Sequence, residues 1–251
     1  MRSILCLSGW SQNYKSLEQS FCEDIVKNFK ISSLDYSQFN GFTDLKNSLK
    51  IPANPEIIIG WSLGGQIALR LIQDKIFNPK LLVLLASPFQ MVKDSRISAG
   101  MSLETYNNFF NNLSKTPNAT LKKFSILSIM NDKNKAEIIN NLEINEENHQ
   151  KLLIWLKELK DFSCFDLDFS DIPSTLFYIG AGDMVVHNSQ SKYFAEKIKD
   201  FELHIFNNCG HAPHLNNKEL FNIILLKKIE SLIKLNLIKF ADANLAYIEP
   251  H

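Results

Sequence analysis

Three consecutive isoleucines, Ile57 to Ile59, run directly into Gly60-Trp61-Ser62-Leu63-Gly64-Gly65, and an apolar helical pattern follows to Asp74. An all-apolar strand of this kind needs cover on both faces, which points to a parallel sheet between helices. The same alternation runs through most of the chain. Ser3–Leu7 reads as a buried strand, and Lys30–Leu34, Glu56–Gly60, Lys80–Ala86, Thr175–Ile179 and Glu202–Phe206 read as further short strands. Tyr14–Phe29, with Leu17, Phe21, Ile25 and Phe29 at steps of four, reads as a helix, as do Leu63–Asp74, Asn188–Ile198 and Asn217–Phe240. The expected fold is α/β. It has a sheet of about six parallel strands, with the Glu56–Gly60 strand central because crossovers on both faces converge there.

The region from Ser87 to Asp168 breaks this rhythm and reads as helices alone. Ser102 can cap a helix carrying Leu103, Tyr106, Phe110 and Leu113. Pro117 interrupts, and Leu121, Phe124, Leu127 and Met130 form a second stripe. Asn145 can cap a third helix, with Glu146 and Glu147 in its first turn and Leu152, Leu156 and Leu159 turned inward. The reading assigns residues 1–88 and 166–251 to the α/β core and 89–165 to a helical lid.

Composition narrows the function. A chain of 251 residues buries enough surface to fold without a disulfide or metal staple. Its 27 basic and 27 acidic side chains balance, and only Arg2, Arg70 and Arg96 are arginines, which argues against nucleic acid as a partner. Cys6, Cys22, Cys164 and Cys209 are scattered without metal-ligand spacing, so reduced thiols and a cytoplasmic location are expected. The apolar run Leu220–Phe240 is broken by four lysines and a glutamate and is not a membrane span. No metal, nucleotide or other cofactor is expected, and the protein is read as a monomer.

The chemistry lies in the glycine-rich turn. G-x-S-x-G between a strand and a helix is the nucleophile elbow of the α/β-hydrolases. The turn lifts the Ser62 hydroxyl off the sheet, and side chains two positions before and after would collide, so Gly60 and Gly64 fit there. The Leu63 N–H opens the following helix and can stabilise an oxyanion. A serine nucleophile then needs an acid and a base in the chain order Ser, Asp or Glu, His. Among six histidines, His211 follows the Glu202–Phe206 strand through a short loop, at the sheet edge where Ser62 sits. His214 is its competitor, read as a pocket or surface residue. His204 falls inside a strand, His149 in the lid, and His251 ends the chain. Asp183 ends Gly180-Ala181-Gly182-Asp183, directly after the Thr175–Ile179 strand. Asp161, Asp166, Asp168 and Asp171 precede that strand and fall at the wrong end of the sheet. A second oxyanion donor is expected from the loop after the first strand, where Trp10 N–H is the candidate and its indole can wall the substrate pocket.

With Gly9-Trp10, the Gly60–Gly65 motif, Gly182-Asp183 and Gly210-His211-Ala212-Pro213, the chain resembles the pimeloyl-[acyl-carrier protein] methyl ester esterases of biotin synthesis. The resemblance spans most of the chain and is weak in the lid. It implies triad roles for Ser62, Asp183 and His211, and oxyanion and substrate-contact roles for Trp10 and Leu63. It also implies an acyl channel lined by Phe124, Ser125, Ile126, Leu127 and Ser128. Phe110, Phe124, Leu127 and Trp10 are bulky and apolar enough to form its walls.

Three departures stand out. Ser8-Gly9 replaces the family's His-Gly before the tryptophan. The family's usual first two strands are missing, since Met1 falls just before the Ser3–Leu7 strand, so no antiparallel edge strand is expected. The lid arginines that contact the carrier are absent. Lys115, Lys122, Lys123, Lys133 and Lys135 take that place, within 21 residues that hold one acid, Asp132. Such a basic patch would steer an acidic acyl-carrier protein, and its alternative is a plain solvated lysine face. The function so indicated is a serine carboxylesterase acting on pimeloyl-carrier methyl ester. A broader carboxylesterase, thioesterase or lipase on the same scaffold is the alternative, and a binding module with a relict elbow is a third.

Overall fold

The computed structural model describes residues 2–49, 54–142, 144 and 148–235. In chain order its elements begin with β1 (Ser3–Leu7), α1 (Lys15–Glu18), α2 (Glu23–Asn28), β2 (Lys30–Ser33) and α3 (Phe42–Ser48). Next come β3 (Ile57–Trp61), α4 (Leu63–Gln73) and β4 (Leu81–Leu85). Among the described residues four helices then follow without a strand: α5 (Leu103–Lys115), α6 (Pro117–Ser128), α7 (Lys135–Asn140) and α8 (His149–Asp161). The chain returns through β5 (Ser174–Gly180), α9 (Ser191–Lys197), β6 (Phe201–Phe206), α10 (Pro213–Asn216) and α11 (Lys218–Lys234).

The six strands form one sheet in the order β2-β1-β3-β4-β5-β6, and every pairing is parallel. β3 and β4 are buried at all positions, as their unbroken Ile and Leu runs require. β3 is flanked by two strands on one side and three on the other, the central place expected for it. Because all strands run the same way, the loops after β1, β3, β5 and β6 emerge at one edge of the sheet. β2 and β6 are the two edge strands, and on β6 Glu202, Leu203 and Ile205 are exposed while Phe206 is buried.

Several elements differ from the sequence reading. The expected helix Tyr14–Phe29 is two short helices. Asn222 of α11 takes the backbone between them, accepting from Cys22 N–H at 2.9 Å and donating to Ser20 C=O at 2.7 Å. Helix Asn188–Ile198 opens as a 3-10 turn, Asn188–Gln190, before α9. Ser102 caps α5 through Thr105 N–H as expected, but Leu103 is exposed, so the buried stripe of α5 starts at Tyr106. Met130 lies beyond the end of α6 and is also exposed. The helix α8 starts at His149 with Asn148 as its cap, which accepts from Lys151 N–H at 3.1 Å. Asn145, Glu146 and Glu147 lie outside the described residues, as do residues 236–251, which include His251 and the expected end of the last helix.

Candidate active site

Between β3 and α4, Ser62 has φ 53° and ψ −116°, in the region that L side chains rarely occupy. Such a conformation costs about 1–3 kcal/mol and persists only when its surroundings enforce it. They do so by close approach. A Cβ on Gly60 would stand 2.5 Å from Gly65 Cα, and one on Gly64 would stand 2.2 Å from Leu7 O. The Ser62 N–H donates to Leu85 C=O at 2.8 Å, anchoring the turn to β4. The glycine requirement at Gly60 and Gly64 is therefore steric, as the motif implied.

The loops after β5 and β6 bring Asp183 and His211 together. His211 Nδ1 and Asp183 Oδ2 are 2.7 Å apart, and both side chains are buried. The other carboxylate oxygen accepts from Val185 N–H at 2.8 Å and Val186 N–H at 2.9 Å. A carboxylate at this distance accepts from Nδ1–H, which leaves Nε2 as the ring nitrogen with the free lone pair. That Nε2 is buried without a hydrogen-bond partner among the described residues. The loop is tied to the elbow, since Trp61 Nε1 donates to His211 C=O at 2.8 Å.

The competing residues stand elsewhere. His214 is fully buried against Trp61, ring centroids 4.8 Å apart, and not at a surface. Burial, with the nearby His211 adding, pushes its pKa down to about 3. It is therefore the neutral imidazole, with a single ring proton, at neutral pH. His204 pairs with Glu202 on β6, and His187 caps the 3-10 turn before α9. Asp166 and Asp171 pair with Arg96 and Lys75, Asp161 with Lys160, and Asp168 holds Ser170. The segment 166–171 precedes β5 and lies at the other end of the sheet.

The first turn of α4 abuts the loop after β1, since a Cβ on Gly64 would also meet Ser8 O at 2.6 Å. The backbone N–H groups of Leu63 and Trp10 donate to no acceptor among the described residues. They stand at a helix N-terminus and a neighbouring loop, the arrangement that stabilises a developing oxyanion. The Trp10 indole donates to Leu152 C=O of α8 at 2.9 Å.

Residues 30–223 match the model of the alpha/beta hydrolase family. The chain belongs to the α/β-hydrolase family. Curated relatives include the pimeloyl-[acyl-carrier protein] methyl ester esterase of Aromatoleum aromaticum, 29% identical over 67% of this chain and 72% of the relative. The protein of the same name from Nitrosomonas europaea is 24% identical over 87% of this chain and 92% of its own. Among solved structures, an esterase from Exiguobacterium antarcticum superposes with a TM-score of 0.76 at 18% identity, covering 92% of each chain. The family, with relatives of this kind, makes the chain a carboxylic ester hydrolase. No helix among the described residues is long and apolar enough to cross a membrane.

In this α/β-hydrolase the helical insert supplies contacts that periodicity did not reveal. The ring that meets Trp10 is Phe109, at 5.6 Å between centroids, with Phe124 at 5.2 Å. The expected wall residue Phe110 packs instead on Tyr106, because a single step along a helix turns a side chain by about 100°. Ser125 and Ser128 are buried and turn their hydroxyls back to Leu121 and Phe124 C=O. Leu127 is half-buried, and Ile126 is exposed rather than lining an interior. Ser128 reaches the site through its backbone, its C=O accepting from His211 N–H at 2.7 Å.

Asp132 was legible only as the single acid in a lysine-rich stretch, and nothing local marks it as buried. Its Oδ1 accepts from Gly210 N–H at 3.0 Å and from the Asn216 amide at 2.6 Å. Burial raises its carboxyl above the ordinary range, more than these bonds lower it. Next to it, Asn131 donates to Gly182 C=O at 2.8 Å and Lys133 N–H to Asn208 C=O at 3.2 Å. The turn after α6 is thus stitched to both the Asp183 and the His211 loops. Lys115, Lys122, Lys123, Lys133 and Lys135 are all exposed, and their side chains form no ion pair among the described residues.

Proposed function

We propose that this chain is a serine carboxylesterase that hydrolyses the methyl ester of a pimeloyl chain carried on an acyl-carrier protein. The observation that carries the reading is the buried, unclaimed Nε2 of His211, backed by Asp183 and tied to the Ser62 elbow. Ser62 Oγ attacks the ester carbonyl as His211 Nε2 takes its proton. The N–H groups of Leu63 and Trp10 hold the oxyanion of the tetrahedral intermediate. Collapse breaks the C–O bond to the methoxy group, which takes the proton from His211 and leaves as methanol. Water then attacks the acyl-Ser62 ester with His211 again as base, releasing the free ω-carboxylate and regenerating the hydroxyl.

The relatives, whose name states that chemistry, and the motif resemblance over most of the chain support this choice of substrate. In this reading residues 89–165 form a lid over the core, with the acyl channel beside Phe124, Leu127 and Trp10. The aromatic trio Trp10, Phe109 and Phe124 suits a slender aliphatic chain. The five exposed lysines give the lid a basic face toward an acidic carrier.

The test is complementation together with a purified assay. The gene should restore growth without biotin to a strain lacking its own esterase, and the protein should release methanol from pimeloyl-carrier methyl ester. Failure of both, with turnover of small free esters retained, would replace the proposal by a general carboxylesterase.

A further inference from the structure

The loop after β1 runs Ser8-Gly9-Trp10, and its backbone needs partners to keep a single orientation. The structure supplies them from two places. Ser8 Oγ donates to Gln12 C=O at 2.7 Å, closing the loop on itself. The Gly9 carbonyl oxygen accepts twice, from the Tyr36 hydroxyl at 2.8 Å and from Gln12 N–H at 3.1 Å. Tyr36 lies on the 3-10 turn Tyr36–Gln38 that follows β2, 4% exposed, with its ring edge-on to Trp155 of α8 at 4.8 Å. Its side chain is therefore fixed by packing before it reaches Gly9.

The consequence lies in one peptide unit. The C=O of Gly9 and the N–H of Trp10 belong to the same planar trans peptide, so they point in opposite directions. Whatever pins the oxygen aims the N–H. The Trp10 N–H is the one the proposed mechanism assigns to the oxyanion, and it donates to nothing among the described residues. The loop has little intrinsic preference for this orientation. Gly9 lacks a Cβ, and one placed there would stand 3.1 Å from the Trp61 ring, while Ser11 sits at φ 63°. A glycine peptide in such a loop flips readily unless it is held. Burial, with the charge of Asp35 adding, pushes the Tyr36 phenol well above its ordinary pKa, so its hydroxyl remains a donor across the working pH range.

We infer that Tyr36 is a positioning residue for the oxyanion hole, holding the Gly9–Trp10 peptide so that its N–H faces the Ser62 oxyanion site. The inference rests on the serine-esterase reading above and deepens it.

Tyr36→Phe removes the hydroxyl alone and keeps the ring against Trp155. Gly9 C=O retains its bond from Gln12, so the variant should fold. With a short-chain p-nitrophenyl ester, kcat should fall about ten- to hundredfold, less than outright loss of an oxyanion donor, with KM little changed. Affinity for an alkyl boronic acid, whose tetrahedral adduct with Ser62 carries the oxyanion, should fall by the same factor as kcat/KM. A merely structural role would lower the melting temperature or the active fraction and leave the boronate affinity of the folded molecules unchanged. Wild-type kcat and boronate affinity in Tyr36→Phe would overturn the inference while Ser62→Ala remains inactive. Normal turnover in Ser62→Ala would overturn the esterase reading itself. Should Tyr36→Phe fail to fold, the backbone amide proton of Trp10 in the labelled wild type decides. It should move downfield on boronate adduct formation, and an unmoved resonance overturns the inference.

Discussion

His214 sits three residues beyond the proposed base, and its burial makes the protein's stability depend on pH. His214 is fully buried beside Trp61 and Phe221, and its pKa is pushed from 6.5 to about 3. The groups that act on it are the His211 imidazole and Lys218, which both disfavour a second positive charge, and the Ser16 backbone, which opposes them in part. In the unfolded chain the same side chain titrates near its ordinary value. Below that value the unfolded state binds a proton that the folded state refuses, so stability is lost as pH falls from about 6.5 toward 3. Each pH unit within that window is worth about 1.4 kcal/mol. Between pH 7.5 and 5.0 this residue alone should remove about 2 kcal/mol of stability, a large share of a typical domain's margin. The assay is urea unfolding of wild type and His214→Leu at both pH values. The leucine changes absolute stability by an amount that cancels when each protein is compared with itself. The wild type should lose about 2 kcal/mol more than the variant over that interval. Equal losses in the two proteins would refute the argument, because they would mean that His214 carries its proton in the folded state.

Ser62→Ala should retain the fold, since the turn is set by Gly60 and Gly64, and should lose ester turnover by several orders of magnitude, read with a p-nitrophenyl ester. Asp132→Ala removes the acceptor of the buried Gly210 N–H and should cost about 1–3 kcal/mol in unfolding free energy and lower kcat, whereas Asp132→Asn, which keeps an oxygen acceptor, should restore much of both. Changing Lys115, Lys122, Lys123, Lys133 and Lys135 together to glutamate should depress kcat/KM for the carrier-bound ester at low salt and spare a small free ester. Unchanged carrier-bound turnover would reduce the patch to a solvated face.

The sequence by itself determined the sheet and the positions of the three proposed triad residues. Ile57–Ile59 and Leu81–Leu85 are apolar without interruption, and only a doubly covered parallel strand suits such runs. Once those strands were placed, Ser62, Asp183 and His211 each followed from standing just past a strand end, a relation that reads along the chain. The tertiary structure alone decided what reached these residues from elsewhere. Asn222 breaks the first helix from about 200 residues away, and Asp132 crosses from the insert to the His211 loop. Tyr36 reaches Gly9 from beyond β2, and Phe109 rather than Phe110 meets Trp10. Periodicity reports which face of an element is apolar, because that depends on residues within four positions of one another. It carries no information on which distant element packs against that face. The polar partners that aim a peptide or hold a loop are chosen by that packing, when the insert docks on the sheet edge.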